Sequence, residues 1–118
     1  MYMHGKGVSQ DYKKAFEWYQ KSALQEYASA QFALGNMYLN GINVAKNDKK
    51  AFEWFQKAAD QGLANAQFAL GFMYVSAKGV FQNHKKAIEW LKKAADQGHV
   101  GAQHELRNIN QNGRNHMH

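Results

Sequence analysis

Six histidines stand in a chain that has no cysteine, and they are the first side chains to test for chemistry. Metal binding on a helix needs ligands one turn apart, as in His-x-x-x-His or Glu-x-x-His. Neither pattern occurs. His99 and His104 are five apart, which sets them about 140° apart on a helix, and His116 and His118 sit in a polar tail. No metal site and no cofactor is expected beyond adventitious binding by that tail. The carboxylates are no better placed for acid–base work. Glu17, Glu53 and Glu89 each have a lysine four residues on, at Lys21, Lys57 and Lys93. That spacing predicts surface ion pairs worth about 0.3–0.5 kcal/mol each. A Ser-x-x-Lys nucleophile is absent, since Ser76-Ala77-Lys78 has the wrong spacing. No glycine-rich phosphate loop runs into a Lys-Ser/Thr helix start. No catalytic residue is assigned, and the expectation is that the chain is not an enzyme.

The same glutamates and lysines reveal something else, because they recur every 36 residues. Shifted by 36, Ala66–Gly101 falls on Ala30–Asn65 with 21 of 36 positions identical and no gap. Shifted again, Met1–Ser29 falls on Met37–Asn65 with 15 of 29 identical. A fixed period in this range is the mark of a stacked repeat, in which each unit buries its apolar face against its neighbours. The expected organisation is one array over 1–112. It comprises a partial unit (1–29), two full units (30–65 and 66–101) and a capping helix (102–112), with a disordered tail at 113–118.

Each unit reads as two helices. Ala30, Leu34, Met37 and Tyr38 form one helical stripe, predicting a first helix over Ala28–Asn40 and, a period later, Ala64–Ser76. Gly35 and Gly71 interrupt helices where glycine costs about 1 kcal/mol, which points to close approach of a neighbouring helix. A loop follows, Gly5–Val8, Gly41–Val44 or Ala77–Val80, and its valine is expected to tuck back into the core. Asp11, Asn47 and Asn83 then hold the N-cap position of a second helix. Along that helix Ala15, Tyr19 and Ser22 set one large residue between two small ones, as do Ala51, Phe55 and Ala58, and Ala87, Leu91 and Ala94. Gly62 and Gly98 stop it, and Glu26 does so less well. Trp18, Trp54 and Trp90 recur at one place and are read as structural clamps on the loop and the next helix. The fold class is therefore all-α, a superhelical solenoid of antiparallel helix pairs.

The zero count of proline suits uninterrupted helices, and the zero count of cysteine removes any disulfide framework. No apolar run of about 18 residues exists to span a membrane. The start, MYMHGKGVSQ, lacks the apolar core of a signal peptide. These features leave the compartment open between cytoplasmic and, if a signal precedes Met1, periplasmic or secreted. The net charge of +6 and pI near 9.6 raise nucleic acid as a partner. Because the lysines recur at fixed repeat positions, they read instead as a solvated helix face, and nucleic acid is the disfavoured reading.

Ala66, Leu70, Gly71, Tyr74, Gly79, Val80, Lys86, Ala87, Trp90, Leu91, Lys93, Ala94, Ala95 and Gly98 together resemble the Sel-one-like repeat (SLR). That family is similar to the tetratricopeptide repeat. The resemblance covers residues 1 to about 109, with Asn43 and Ala77 standing where the pattern has loop glycines. It implies an adaptor or scaffold for proteins or peptides, most often in bacterial signalling, secretion and host interaction. A cysteine-rich branch implies a second reading, a binder of penicillin-like small molecules or a weak hydrolase. The absence of cysteine weakens that analogy.

In the related fold the first helices line the concave face. At 100° per residue, the side opposite the core stripe carries Phe32, Asn36, Leu39 and Asn40. One period on it carries Phe68, Phe72, Val75 and Ser76, and in the last helix His104 and Asn108. This is the expected partner-binding face, an apolar patch flanked by amides. Phe32 and Phe68 carry an equal expectation of ordinary core packing. The last helix keeps Ala102, Leu106 and Ile109 inward, while Arg107 and Asn110 make it polar enough to cap the array. The start is more open, and its Ala15–Tyr19–Ser22 surface is expected to be covered by a second copy, as a dimer or end-to-end contact, or by upstream sequence.

Overall fold

Six helices follow one another: α1 (Gly5–Leu24), α2 (Ala28–Asn40), α3 (Asp48–Asp60), α4 (Ala64–Ser76), α5 (His84–Asp96) and α6 (Val100–His116). The computed structural model describes the backbone of residues 5–78 and 80–116 and the side chains of residues 13–78 and 80–109. Each helix packs on the next in chain order, from α1 on α2 through α5 on α6. The product is an elongated body of 56 × 28 × 27 Å.

In the second and third units the predicted caps and stops are formed. The Asn47 and Asn83 side chains accept from the backbone N–H of Lys50 and Lys86, each at 3.0 Å. Gly62 and Gly98 end α3 and α5 with φ of 94° and 90°, in the left-handed region that glycine enters without cost. Glu26 and Ala77 take the same left-handed backbone at φ 68° and 57° although they carry a Cβ. The loops return on paired tethers. Asn47 N–H donates to Tyr38 O at 2.8 Å, and Asn83 N–H donates to Tyr74 O at 3.1 Å. Val44 and Val80 are half-buried beneath them.

The core alternates knobs and holes. Phe55 and Leu91, both fully buried, sit against Gly35 and Gly71. A Cβ on Gly35 would lie 2.5 Å from the Phe55 ring, and one on Gly71 would lie 2.6 Å from Leu91 Cγ. The recurring helix glycines are thus sites of helix–helix contact, as expected. One cluster joins Phe55, Ala58 and Ala59 of α3 to Ala66, Leu70 and Met73 of α4. Leu91, Ala94 and Ala102 form the next cluster, with Leu106 and Ile109 packed on it.

Buried polar groups also join the units, and nothing in the sequence reading anticipated them. Gln31 is fully buried; its Nε2 donates to Ala23 O at 3.2 Å, and its Oε1 accepts from Gln61 Nε2 at 2.8 Å. One period on, Gln67 Nε2 donates to Ala59 O at 3.4 Å, and Gln67 Oε1 accepts from Gln97 Nε2 at 2.9 Å. Each glutamine therefore ties its helix to the one before and to the end of the one after. Replacing Gln67 with leucine removes both of these hydrogen bonds, and at about 0.5–1.5 kcal/mol for each is expected to cost about 1–3 kcal/mol. Gln103, exposed and bonded only to Ala95 O, should tolerate the same change. Urea midpoints of the two variants make the comparison, and equal midpoints would refute the role of the relay.

Five expectations are corrected. Helix α1 is continuous from Gly5, so the Gly5–Val8 loop is not formed and Asp11 lies within the helix rather than capping it. In the later units the loop is tied back to Tyr38 or Tyr74; the equivalent Tyr2 lies outside the described residues, and residues 5–11 use their backbone groups in helical bonds. Helix α6 runs to His116, so residues 113–116 are helical rather than a tail; Gly113 costs a helix about 1 kcal/mol without breaking it. Gly79 and the final two residues lie outside the described residues. The tryptophans do not clamp the following helix: Trp54 packs back on Ala23, Ala30, Leu34 and Met37, and Trp90 on the α3–α4 cluster. Trp18 is 60% exposed. Finally, the Glu–Lys pairs are not made. Lys57 and Lys93 lie over the rings of Trp54 and Trp90, at 5.9 and 5.1 Å. A half-buried aromatic face outcompetes a fully solvated carboxylate. Among the described residues the ion pair is Lys46–Asp48, at 2.7 Å.

Candidate binding groove on the first-helix face

The first helices of successive units, α2 and α4, run side by side because each is followed by an antiparallel partner and the 36-residue period returns the chain to the same direction. Between them lies a cavity of about 460 Å³. Phe32, Asn36 and Leu39 of α2 line it together with Asn65, Phe68, Ala69 and Phe72 of α4. Phe55 and Met73 contribute to the lining from the core, and His99 adds to it from the start of α6.

Five of the residues singled out by helical geometry therefore come together: Phe32, Asn36, Leu39, Phe68 and Phe72. Both Phe32 and Phe68 are also half-buried, the first with its ring 5.5 Å from Phe55. They serve core and groove at once, so the two readings of these residues describe one position. Phe72 is 42% exposed. The other five do not line the cavity. Asn40 Nδ2 and Ser76 Oγ bond the carbonyls of their own helix, at Asn36 and Phe72. Val75 is half-buried, with its carbonyl accepting from Gln82 Nε2 at 2.8 Å. His104 and Asn108 are exposed on α6.

Sequence reasoning missed His99 as a groove residue. It is not a helix residue but the one preceding α6, where its Nδ1 accepts from Ala102 N–H at 3.1 Å. Its ring stacks on Phe68, centroid to centroid 4.6 Å. A Cβ at position 101 would lie 3.1 Å from His99 Cε1 and 3.4 Å from Phe68 Cζ, so Gly101 leaves room for the stack. The signal was present in the pairing of a histidine with a glycine two residues later at a helix start. No group of three or more His, Cys, Asp or Glu is gathered for a metal among the described residues. Among the same residues no helix is long and apolar enough to cross a membrane.

A stack of antiparallel helix pairs with an uncharged, largely aromatic groove, save for one histidine, defines a helical-repeat scaffold. The chain belongs to the Sel1 repeat family, whose model matches residues 1–27, 28–63 and 64–99. Sel1 repeats are commonly protein–protein interaction scaffolds and typically non-enzymatic. Similar solved structures include the following three. One is c5321, described as a protective antigen of uropathogenic Escherichia coli with an SLR fold. It is 39% identical, with a TM-score of 0.86 over 95% of this chain and 24% of that one. A Sel1 repeat protein from Oxalobacter formigenes is 39% identical, with a TM-score of 0.78 over 79% and 27% of the two chains. Helicobacter pylori cysteine rich protein B is 29% identical, with a TM-score of 0.73 over 76% and 68%. The chain thus spans about a quarter of the length of the first two. No match was found among curated protein sequences.

Proposed function

We propose that this chain is a non-enzymatic adaptor that binds a protein or peptide on the concave face formed by its first helices. The observation that carries this reading is the groove of about 460 Å³ between α2 and α4, walled by Phe32, Phe68 and Phe72. A cavity of that size takes one or two large side chains. Its walls carry no carboxylate or ammonium, so the anchor they suit is aromatic or aliphatic. The amides of Asn36 and Asn65 at the wall are suited to hydrogen-bond the backbone that carries such an anchor.

Panning a displayed random-peptide library on the purified chain should enrich sequences with a large apolar residue. Replacing Phe72 with aspartate should weaken those peptides about tenfold or more, with the thermal melt unchanged because the side chain is already part-exposed. Retained affinity in that variant would overturn the assignment of the groove.

A further inference from the structure

We propose that the edge of the solenoid where first helices end and second helices begin is a docking surface for an anionic lipid bilayer. Two observations meet there. The first is charge. Lys49 and Lys50 open α3, Lys85 and Lys86 open α5, and Lys78 lies in the intervening loop, all of them exposed. Lys13 and Lys14 hold the equivalent repeat positions in α1. The acids in this stretch are Asp11 in the first unit and Asp48 in the second, the latter engaged by Lys46, while the third unit has none. Asp60 and Asp96 lie at the other ends of α3 and α5. Lysines therefore outnumber acids along this edge.

The second observation is what stands among those lysines. Phe81 is 93% exposed, and Ile42, on the preceding loop, is 38% exposed. Ala77 and Val80 flank Phe81 and complete an apolar shelf with it. A single exposed apolar residue is ordinary; apolar residues on successive loops within a basic edge form a pattern. Described residues of the loop are tethered: Lys78 N–H donates to Met73 O, Asn83 N–H to Tyr74 O, and Gln82 Nε2 to Val75 O. Phe81 is presented by a tethered loop.

Aliphatic and aromatic tips ringed by lysine match a headgroup layer with hydrocarbon beneath it. Nucleic acid fits less well. Its phosphates favour arginine forks, and the cations along this edge named above are all lysines. Ile42 and Val80 would also have no role on a phosphate backbone.

The test is sedimentation of the chain with phosphatidylcholine vesicles, with and without phosphatidylglycerol, and in parallel titration with duplex DNA. Binding is expected to the anionic vesicles alone and to fall as salt rises. Phe81→Ser should lower partitioning about tenfold, and Lys78→Glu with Lys85→Glu should lower it by about tenfold or more. All three positions are exposed, so unchanged melts will show that each variant is folded. Equal binding to neutral vesicles, indifference to Phe81→Ser, or tighter binding to DNA than to anionic vesicles would each overturn the proposal.

Discussion

Replacing Gly71 with valine is expected to destabilise the array by about 3 kcal/mol. The new Cβ would lie 2.6 Å from Leu91 Cγ and 2.8 Å from its Cδ2, with the Ala87 carbonyl at 3.2 Å behind. Cγ is the branch point of leucine, so rotating the tip of the side chain does not clear it. The backbone oxygen blocks a simple slide of α4 over α5. Alanine at this place gains about 1 kcal/mol of helix propensity but meets the same atoms, and should still be destabilising. The clash predicts its own rescue: Leu91→Ala in the Gly71→Ala background should recover part of the loss, a coupling that a double-mutant cycle in urea would read. A Gly71→Val protein that unfolds with the wild type would disprove the close approach.

The second large effect is expected at Phe55. Truncation to alanine should cost about 3–5 kcal/mol, a large part of the total for a domain of this size. The ring is fully buried, fills the hole left by Gly35, and packs on Phe32 from below the groove. Units that contact only their neighbours need not unfold together. Loss of this knob should therefore separate the melting of the α2–α3 region from that of α5–α6. Thermal melts followed by circular dichroism should change from one transition to two, or shift down as one. A variant with an unshifted melt would show that Phe55 is not central to the core. Because Phe55 also lines the cavity, the same change should admit larger apolar anchors.

Helices α2 and α4 begin and end where the spacing says they should, and α3 and α5 where their asparagine caps and glycine stops say, because caps, stops and a 3.6-residue stripe are local. The groove was half legible for a related reason. Opposite-face geometry within one helix identifies Phe32, Asn36 and Leu39, and the period carries this to Phe68 and Phe72. His99 and Asn65 were not reachable that way. They belong to helix starts that fold over the groove from the side, and their place depends on how one unit leans on the next. The glutamine relay was hidden for a stronger reason. Gln31 and Gln67 are polar residues near a helix start that no local pattern marks as buried, and only the neighbouring helix end shows that they are. Lys57 and Lys93 show the reverse error: a correct local pairing rule lost to Trp54 and Trp90, whose half-burial comes from packing on other helices.

The glutamine relay has a consequence beyond stability. Greasy contacts between alanine-rich helices permit sliding and rolling with little penalty, whereas a buried amide bonded on both sides tolerates neither. Gln31 and Gln67 thus act as indexing pins, setting the same angular step from each unit to the next. Equivalent positions on the helices these pins join, such as those of Phe32 and Phe68, are then held in a fixed relation. A ligand with matching periodicity can be read in phase. Replacing a residue on that face changes one mark on the ruler without altering the spacing of the rest.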